Sequence, residues 1–184
     1  IPSSVTEIKR NTFNECKSLK DVEIPFSVKT IGLNAFNSCF SLTRVEIPSS
    51  VDRIHMNAFF LCTSLLYVKI PTSVKMIQEG AFDGCKNLTN VEFEFPSSLN
   101  FIAPKSFEDC PGISVFWPDR FRFFLYSKYS KHLIVVNTVG MIPMSFESYK
   151  SKIEKISLST SVKAISNNAF KDCSSLQFIS IPSS

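Results

Sequence analysis

Six cysteines recur along the chain at a nearly constant interval, and this interval constrains the fold more than any other feature of the sequence. They stand at positions 16, 39, 62, 85, 110 and 173, so the successive gaps are 23, 23, 23, 25 and 63 residues. Apolar residues recur with the same period. A unit that repeats its apolar positions and leaves the intervening ones free is one coil of a solenoid, which buries those positions by stacking on its neighbours.

The apolar positions form columns when the chain is aligned on this period. One column runs Ile1, Ile24, Ile47, Ile70, Phe95, Val135 and Leu158, and an aromatic column runs Phe13, Phe36, Phe59, Phe82, Phe107 and Phe170. The predicted coils span residues 1–23, 24–46, 47–69, 70–94, 95–117, 135–157 and 158–180, and 181–184 begin another coil. Residues 118–134 fit no coil and are interpreted as an insertion. The sequence therefore predicts one solenoid domain over residues 1–184.

Each coil closes with the pattern Leu-x-x-Val-x-Ile, which alternates with period two and is rich in β-branched residues. We predict one strand here in every coil, and all these strands in one parallel sheet. The proline that follows, as at Pro25 and Pro48, has no backbone donor and ends the ladder. The next segment, Val-x-x-Ile, is expected to be short and extended or irregular, and Asn-Ala-Phe-x-x-Cys is expected to form about one helical turn. The predicted class is an α/β repeat with little regular helix.

The full unit, Ile-Pro-Ser-Ser-Val-x-x-Ile-x-x-x-Ala-Phe-x-x-Cys-x-Ser-Leu-x-x-Val-x, resembles the BspA-type leucine-rich repeat. The closest copies are residues 24–46, 47–69, 70–94 and 158–180, and the likeness covers nearly all of the chain. It implies a leucine-rich-repeat solenoid. BspA-like proteins occur in bacteria and in parasitic protozoa, often at the cell surface, where they are linked to adhesion to host matrix proteins or cells. The resemblance therefore implies a surface or secreted protein that binds other proteins.

Cysteines spaced in this way are candidates for disulfide partners, metal ligands or a column of buried thiols. Parallel side chains in one column rarely give the dihedral angle that a disulfide needs, and zinc sites usually use paired ligands such as Cys-x-x-Cys. We predict buried free thiols, with no metal and no cofactor. The two histidines, His55 and His132, have no catalytic motif around them. We predict that the chain is not an enzyme and has no catalytic residue.

The polar positions of the predicted strands form the candidate partner-binding surface. One outer column contains Glu23, Glu46, Lys69, Glu92, Trp117, Ser157 and Ser180, and the other contains Asp21, Arg44, Tyr67, Asn90, Val115, Lys155 and Phe178. We select Glu23, Arg44, Glu46, Tyr67, Glu92, Trp117 and Phe178 from them as candidates. The alternative for the glutamates is a solvated sheet face. Exposed aromatic residues are typical interface anchors. Tyr67, Trp117 and Phe178 could instead pack on neighbouring coils.

The insertion is a second candidate contact. Its cations are Arg120, Arg122, Lys128 and Lys131, and its net charge of +3 accounts for most of the chain's +4. The pattern of apolar residues on both sides of a polar turn at 128–131 predicts a β-hairpin that projects from the sheet or continues it. Basic and aromatic residues together occur in nucleic-acid-binding proteins, but four cations are few, so nucleic acid is disfavoured as a partner.

These patterns predict a non-catalytic module that binds a protein, as part of an adhesion or host-interaction protein. An intracellular scaffold or regulatory subunit, with a cytoplasmic location, is the alternative, and an enzyme accessory domain is a weaker one. The apolar content of 44% excludes disorder, and no apolar run approaches the ~18 residues of a membrane span. The chain begins and ends on the same tetrapeptide, Ile-Pro-Ser-Ser, so we expect a piece of a longer array whose uncovered ends associate with each other.

Overall fold

The coils stack into a solenoid whose strands pair in parallel. The computed structural model describes residues 1–94, 98–103, 105–110, 151, 153–158, 165 and 167–181, and it describes 115–118, 132–136, 141–142 and 164 as backbone only. Over the first five coils each strand pairs with the strand 23 or 25 residues away. The predicted leucine-rich-repeat solenoid is confirmed, because the interval between equivalent apolar residues in the sequence is also the interval between strands that pair.

The main sheet of these coils consists of β3 (Arg44–Glu46), β5 (Tyr67–Ile70) and β7 (Asn90–Phe93), in that order. Val45, Val68 and Val91 are paired in register and are buried, while the flanking residues face outward. Period-two alternation thus places one side of this sheet in the core and the other in solvent. The side chains at the outward positions form what we call the ladder face: Arg44, Glu46, Tyr67, Lys69, Asn90 and Glu92.

A second parallel sheet lies where the sequence predicted only a short extended or irregular piece. Its five strands contribute two residues each: β1 (Glu7–Ile8), β2 (Thr30–Ile31), β4 (Arg53–Ile54), β6 (Met76–Ile77) and β8 (Phe101–Ile102). The isoleucine of every strand is buried, and the residue before it is more exposed. Two residues are too few to show a period, so only the stacking of five copies reveals this sheet.

The helical turn predicted over Asn-Ala-Phe-x-x-Cys is wrong, because two residues of this segment adopt a left-handed backbone. In the second coil these are Asn34, with φ of 53°, and Ser38, with φ of 59°. The amide of Phe36 donates to the carbonyl of Ala58 in the next coil at 2.7 Å, and so it stabilises the stack instead of a helix. Asn tolerates positive φ better than most residues do. In the described part of the chain, no helix is long and apolar enough to cross a membrane.

The core is a set of stacked columns rather than a compact cluster. The rings of Phe13, Phe36, Phe59, Phe82 and Phe107 lie nearly parallel, with neighbouring centroids 4.8 to 5.1 Å apart. Cys39, Cys62, Cys85 and Cys110 are buried free thiols, as predicted, whereas Cys16 is exposed and Cys173 is partly exposed. Each coil therefore repeats one packing solution on the coil before it.

The later strands form a four-stranded parallel sheet and a two-stranded one. The four-stranded sheet contains β9 (Val115–Pro118), β10 (His132–Val136), β12 (Lys155–Leu158) and β14 (Phe178–Ser180), and β11 (Met141–Ile142) pairs with β13 (Ala164–Ile165). Strand β10 has parallel partners on both sides, β9 and β12. His132–Val136 is therefore not the second arm of the predicted hairpin, since neither of its edges is open to an antiparallel strand. Residues 119–131 of that prediction lie outside the described residues.

Two register positions differ from the sequence alignment. Ile70 pairs with Phe93 rather than with Phe95, because the strand continues without a bulge and the extra residues of this coil follow it. Trp117 pairs with Val135, whereas the alignment placed it one position before the start of the next unit. A shift of one residue moves a position to the other face of a sheet. The register therefore does not place Trp117 in the outer column that the alignment gave it.

Candidate partner-binding groove

A groove of about 830 Å³ runs along the first half of the ladder face and reaches the turns that follow its strands. Its charged lining residues are Asp21, Glu23, Arg44, Glu46, Lys69 and Glu94. They come from four successive coils: Arg44, Glu46 and Lys69 are outer positions of the ladder, whereas Asp21 and Glu23 precede its first strand and Glu94 follows β7. Arg44 pairs in register with Tyr67, and Glu46 with Lys69. Four carboxylates and two cations give this groove a net charge of −2.

The apolar part of the groove contains one highly exposed aromatic ring. Phe26 lies in the turn after Pro25, and 74% of its surface is accessible. Pro48 and Pro71 occupy the equivalent turns of the next coils, where they are buried and also line the groove. A proline has a fixed φ and no side-chain torsion to lose, so this wall is rigid. An exposed ring beside rigid apolar walls is a surface that a partner can cover at little entropic cost.

Both cations of the groove are paired with carboxylates. Arg44 contacts Glu46 two positions further along β3, and Lys69 Nζ lies 2.7 Å from Glu94 Oε1 and 4.0 Å from Glu92 Oε1. The hydrogen bond with Glu94 raises the pKa of Lys69, and the same contact lowers the pKa of Glu94. These pairs are exposed, so they contribute little to stability. Their effect is to neutralise the positive charge of the groove.

The side chain of Tyr67 is held by its hydroxyl group. The hydroxyl donates to Glu92 Oε2 at 2.8 Å, across to the next strand. Desolvation, followed by this hydrogen bond, raises the pKa of Tyr67. The side chain is partly buried, so it serves as a fixed part of the groove rather than as a free anchor.

The two carboxylates at the N-terminal end of the groove are those of Asp21 and Glu23, and the N-terminal ammonium group lies 3.5 Å from the backbone carbonyl oxygen of Glu23. Asp21 accepts a hydrogen bond from the amide of Val22 at 2.9 Å. Within the described residues, neither Asp21 nor Glu23 forms an ion pair. These two carboxylate side chains are therefore without an ion-pair partner, and they stand shortly before Phe26 in the chain.

The thiols and histidines do not assemble into a reactive or metal-binding centre in the part of the chain that is described. Burial raises the pKa of the Cys39 thiol to about 11, and burial raises the pKa values of Cys62 and Cys85 as well. A buried protonated thiol is a poor nucleophile. The described residues contain no group of three His, Cys, Asp or Glu side chains that could hold a metal ion.

A family profile identifies the repeat. The profile of the BspA type leucine rich repeat region matches six copies, over residues 1–114 and 124–184. The chain belongs to the BspA-type leucine-rich-repeat family. No protein with a curated description matches it significantly.

Solved structures of bacterial leucine-rich-repeat proteins share the fold of this BspA-type chain. A leucine-rich repeat protein from Bacteroides ovatus is 27% identical, with a TM-score of 0.55, and the match covers 96% of this chain and 58% of that one. The leucine rich repeat protein of T. pallidum is 24% identical, with a TM-score of 0.59, over 98% of this chain and 67% of that one. The BspA-type chain thus spans little more than half the length of the Bacteroides protein.

The groove brings together four of the residues that the sequence selected in this BspA-type chain. Glu23, Arg44, Glu46 and Tyr67 line it, and Glu92 is bound to Tyr67 beside it. Phe178 is 65% exposed but belongs to β14, in the four-stranded sheet. Trp117 lies on β9, at the register position described above. Arg120, Arg122, Lys128 and Lys131 lie outside the described residues.

Sequence reasoning missed four of the residues that shape the groove. Asp21, Phe26, Lys69 and Glu94 were not selected, although Asp21 and Lys69 stand in outer columns. The sequence could have pointed to Phe26, because this aromatic residue departs from the small hydroxyl residues at the equivalent positions of the other coils, Ser3, Ser49 and Thr72. Glu94 directly follows β7, in the coil that has two extra residues, and a strict alignment treats such residues as irregularities.

Proposed function

We propose that this leucine-rich-repeat chain is a non-catalytic module that binds a protein partner on its ladder face. The observation that supports the proposal is the groove. It contains the exposed ring of Phe26, charged residues with and without ion-pair partners, and rigid prolines. The core columns are complete without these side chains, so packing does not account for Phe26. Exposed aromatic residues within a polar rim are typical of protein interfaces.

The absence of a catalytic role is part of this proposal. The thiols of Cys39, Cys62 and Cys85 are buried and donate hydrogen bonds to backbone carbonyls. Because burial also raises their pKa values, they serve as core residues rather than as nucleophiles.

A photo-crosslinking amino acid placed at position 44 or at position 53 tests which face binds. Arg44 and Arg53 are both exposed arginines on strands, but Arg44 is on the ladder face and Arg53 is on the second sheet. Irradiation of cells that express each variant should crosslink a protein from position 44 and not from position 53. Equal crosslinking from both positions, or crosslinking from position 53 alone, would argue against the ladder face.

We further propose that the module belongs to a cell-surface adhesion or host-interaction protein. Its support is the resemblance to BspA-like proteins. Protease treatment of intact cells that express the full-length protein separates this role from the alternative, an intracellular scaffold. Loss of the protein from intact cells supports surface exposure, whereas digestion only after lysis supports the scaffold.

The basic segment 118–134 is proposed as a second contact with the partner. Its four cations, Arg120, Arg122, Lys128 and Lys131, give it a charge opposite to that of the groove. Replacing all four by serine should weaken partner binding and reduce its sensitivity to salt. Unchanged binding and salt dependence would remove this segment from the interface.

End-to-end association of the chain is a further part of the proposal. Ile179 on β14 is 44% exposed, whereas its register partner Ile156 is fully buried. At the other end Phe13 and Val22 are only partly buried. The first coil of a second copy could cover Ile179 and continue the same columns, which is a heterologous contact. Sedimentation velocity should show a concentration-dependent assembly that Ile179→Glu abolishes, and monomers at every concentration would exclude it.

A further inference from the structure

We infer that the groove accepts a protein segment in which a lysine or arginine stands next to an apolar side chain. The cation would lie at Asp21 and Glu23, and the apolar side chain would pack on Phe26. This inference rests on the proposed function, protein binding by the ladder face, and adds the chemistry of the partner.

The first argument comes from the positions at which the chain departs from its own repeat. Equivalent turns carry Ser3, Ser49 and Thr72, so the solenoid does not need an aromatic ring where Phe26 stands. The ring is also too exposed to contribute much to the core, at 74% of its surface. Burying such a ring against a partner releases about 25 cal/mol per Å² of apolar surface. The departure is therefore explained by a contact outside the chain.

A second departure lies at the other end of the groove. Glu94 directly follows β7, in the coil that has two extra residues. Its carboxylate forms an ion pair with Lys69 at 2.7 Å and accepts a hydrogen bond from the Thr72 amide at 3.3 Å. Lys69 is therefore already paired with a carboxylate when a partner approaches. Because Arg44 is paired with Glu46 in the same way, an acidic partner would have to break an existing pair before gaining one.

The carboxylates without an ion pair favour a partner segment of positive charge. Asp21 and Glu23 are exposed carboxylates that line the groove without an ion pair among the described residues. An incoming ammonium or guanidinium group gains attraction from both carboxylates without breaking an ion pair. Phe26 follows Glu23 by three residues and lines the same groove, so one short segment can reach both features. Charge complementarity and the exposed ring together favour a cationic and apolar segment.

Binding of labelled peptides to the purified 184-residue chain tests this inference. The probe is a short peptide that alternates arginine and leucine between serine flanks. One matched peptide carries glutamate in place of arginine, and another carries serine in place of leucine. We expect the arginine and leucine peptide to bind most tightly, with an affinity that falls as salt rises, and the glutamate peptide to bind at least about tenfold more weakly.

Variants of the chain locate the site. Phe26→Ser restores the residue of the neighbouring coils, and the double variant Asp21→Asn with Glu23→Gln removes the unpaired charge. Each change should lower the affinity for the arginine and leucine peptide by about tenfold or more. The controls are Leu66→Thr, which replaces another exposed apolar residue by the residue found in neighbouring coils, and Glu7→Gln on the second sheet. Both controls should bind the peptide as the parent chain does.

Three results would overturn the inference: no binding of the arginine and leucine peptide, equal binding of the glutamate peptide, or groove variants that behave like the controls. The crosslinking experiment at Arg44 keeps these failures separate from failure of the proposed function. If position 44 still captures a protein, the ladder face binds a partner of different chemistry. If position 44 captures nothing, the proposed function fails as well.

Discussion

The thiol of Cys62 donates a hydrogen bond to the carbonyl oxygen of Phe36 in the preceding coil, with sulfur and oxygen 3.2 Å apart. The same bond recurs from Cys39 to the carbonyl of Phe13 and from Cys85 to that of Phe59, each at 3.2 Å. Every such cysteine therefore links its coil to the aromatic column of the coil before it. This relationship gives the repeated cysteine a polar role in addition to filling space.

Replacement of Cys62 by serine should lower the free energy of unfolding by about 1–2 kcal/mol. The loss stays modest because the carbonyl of Phe36 can accept from the new hydroxyl, although a C–O bond is shorter than a C–S bond. Cys16→Ser is the matched control, since Cys16 occupies the same repeat position but is exposed, and it should change stability by less than ~0.5 kcal/mol. Urea unfolding followed by circular dichroism measures both. Equal effects of the two substitutions would contradict a packing role for the buried thiol.

The stability contributed by Cys62 should decline above pH 9. Burial raises the pKa of this thiol above its ordinary value of 9.0, so the folded chain retains the proton that the unfolded chain loses. Its contribution is complete below pH 9.0 and falls by about 1.4 kcal/mol per pH unit above it. Cys62→Ala lacks the titrating group, so its stability deficit relative to the parent chain should shrink as the pH rises past that value. For Cys39 the corresponding window runs from pH 9.0 to about 11.

Urea titrations on both sides of that pH measure this change. Cys16→Ala serves as the control, because it removes a thiol at the same repeat position that is exposed rather than buried. A Cys62→Ala deficit that stays constant across the window would show that Cys62 ionises as readily in the folded chain as in the unfolded one.

The interior of the solenoid could be predicted from the sequence because each apolar column repeats one side chain in one environment. Ile31, Ile54 and Ile77 share a column, and all three are buried. The backbone between the columns could not be predicted in the same way. Asn34 and Ser38 look like residues of a short helical turn until the inter-coil hydrogen bonds are known. Their left-handed backbone depends on a neighbouring coil, which no local pattern contains.

Substitution of Gly80 by alanine should destabilise the chain by about 2 kcal/mol, through two separable terms. Gly80 has φ of 66°, which costs an L-residue about 1 kcal/mol. An added Cβ would also clash with Oδ1 of Asn57 in the preceding coil. The clash is absent when Asn57 is replaced by glycine. In the Asn57→Gly background, Gly80→Ala should therefore lower the free energy of unfolding by only about 1 kcal/mol.

A double-mutant cycle by urea unfolding measures this coupling between adjacent coils. Additive effects of Gly80→Ala and Asn57→Gly would mean that the two residues do not meet. A destabilisation that vanishes entirely in the Asn57→Gly background would mean that backbone strain at Gly80 plays no part.

The groove was only partly predictable, because its members come from different repeat positions. Glu23, Arg44, Glu46 and Tyr67 stand in the outer columns and could be selected from the alternation of the strands. The neutralisation of Lys69 by Glu94 could not, since Glu94 belongs to no column. Side-chain pairing of this kind depends on where the extra residues of one coil fold back, and this is decided in three dimensions.

The exposed aromatic residues should be dispensable for folding, in contrast to those of the stack. Phe59 is fully buried between Phe36 and Phe82, with centroids 5.1 Å away on both sides, so Phe59→Ala should cost about 3–5 kcal/mol. Phe26→Ser and Phe178→Ala remove rings that are largely in solvent and should change the free energy of unfolding by less than ~0.5 kcal/mol. Thermal and urea unfolding of the three variants give the comparison. If Phe26→Ser destabilised the chain as strongly as Phe59→Ala, Phe26 would be a packing residue, and its departure from the repeat would need no partner to explain it.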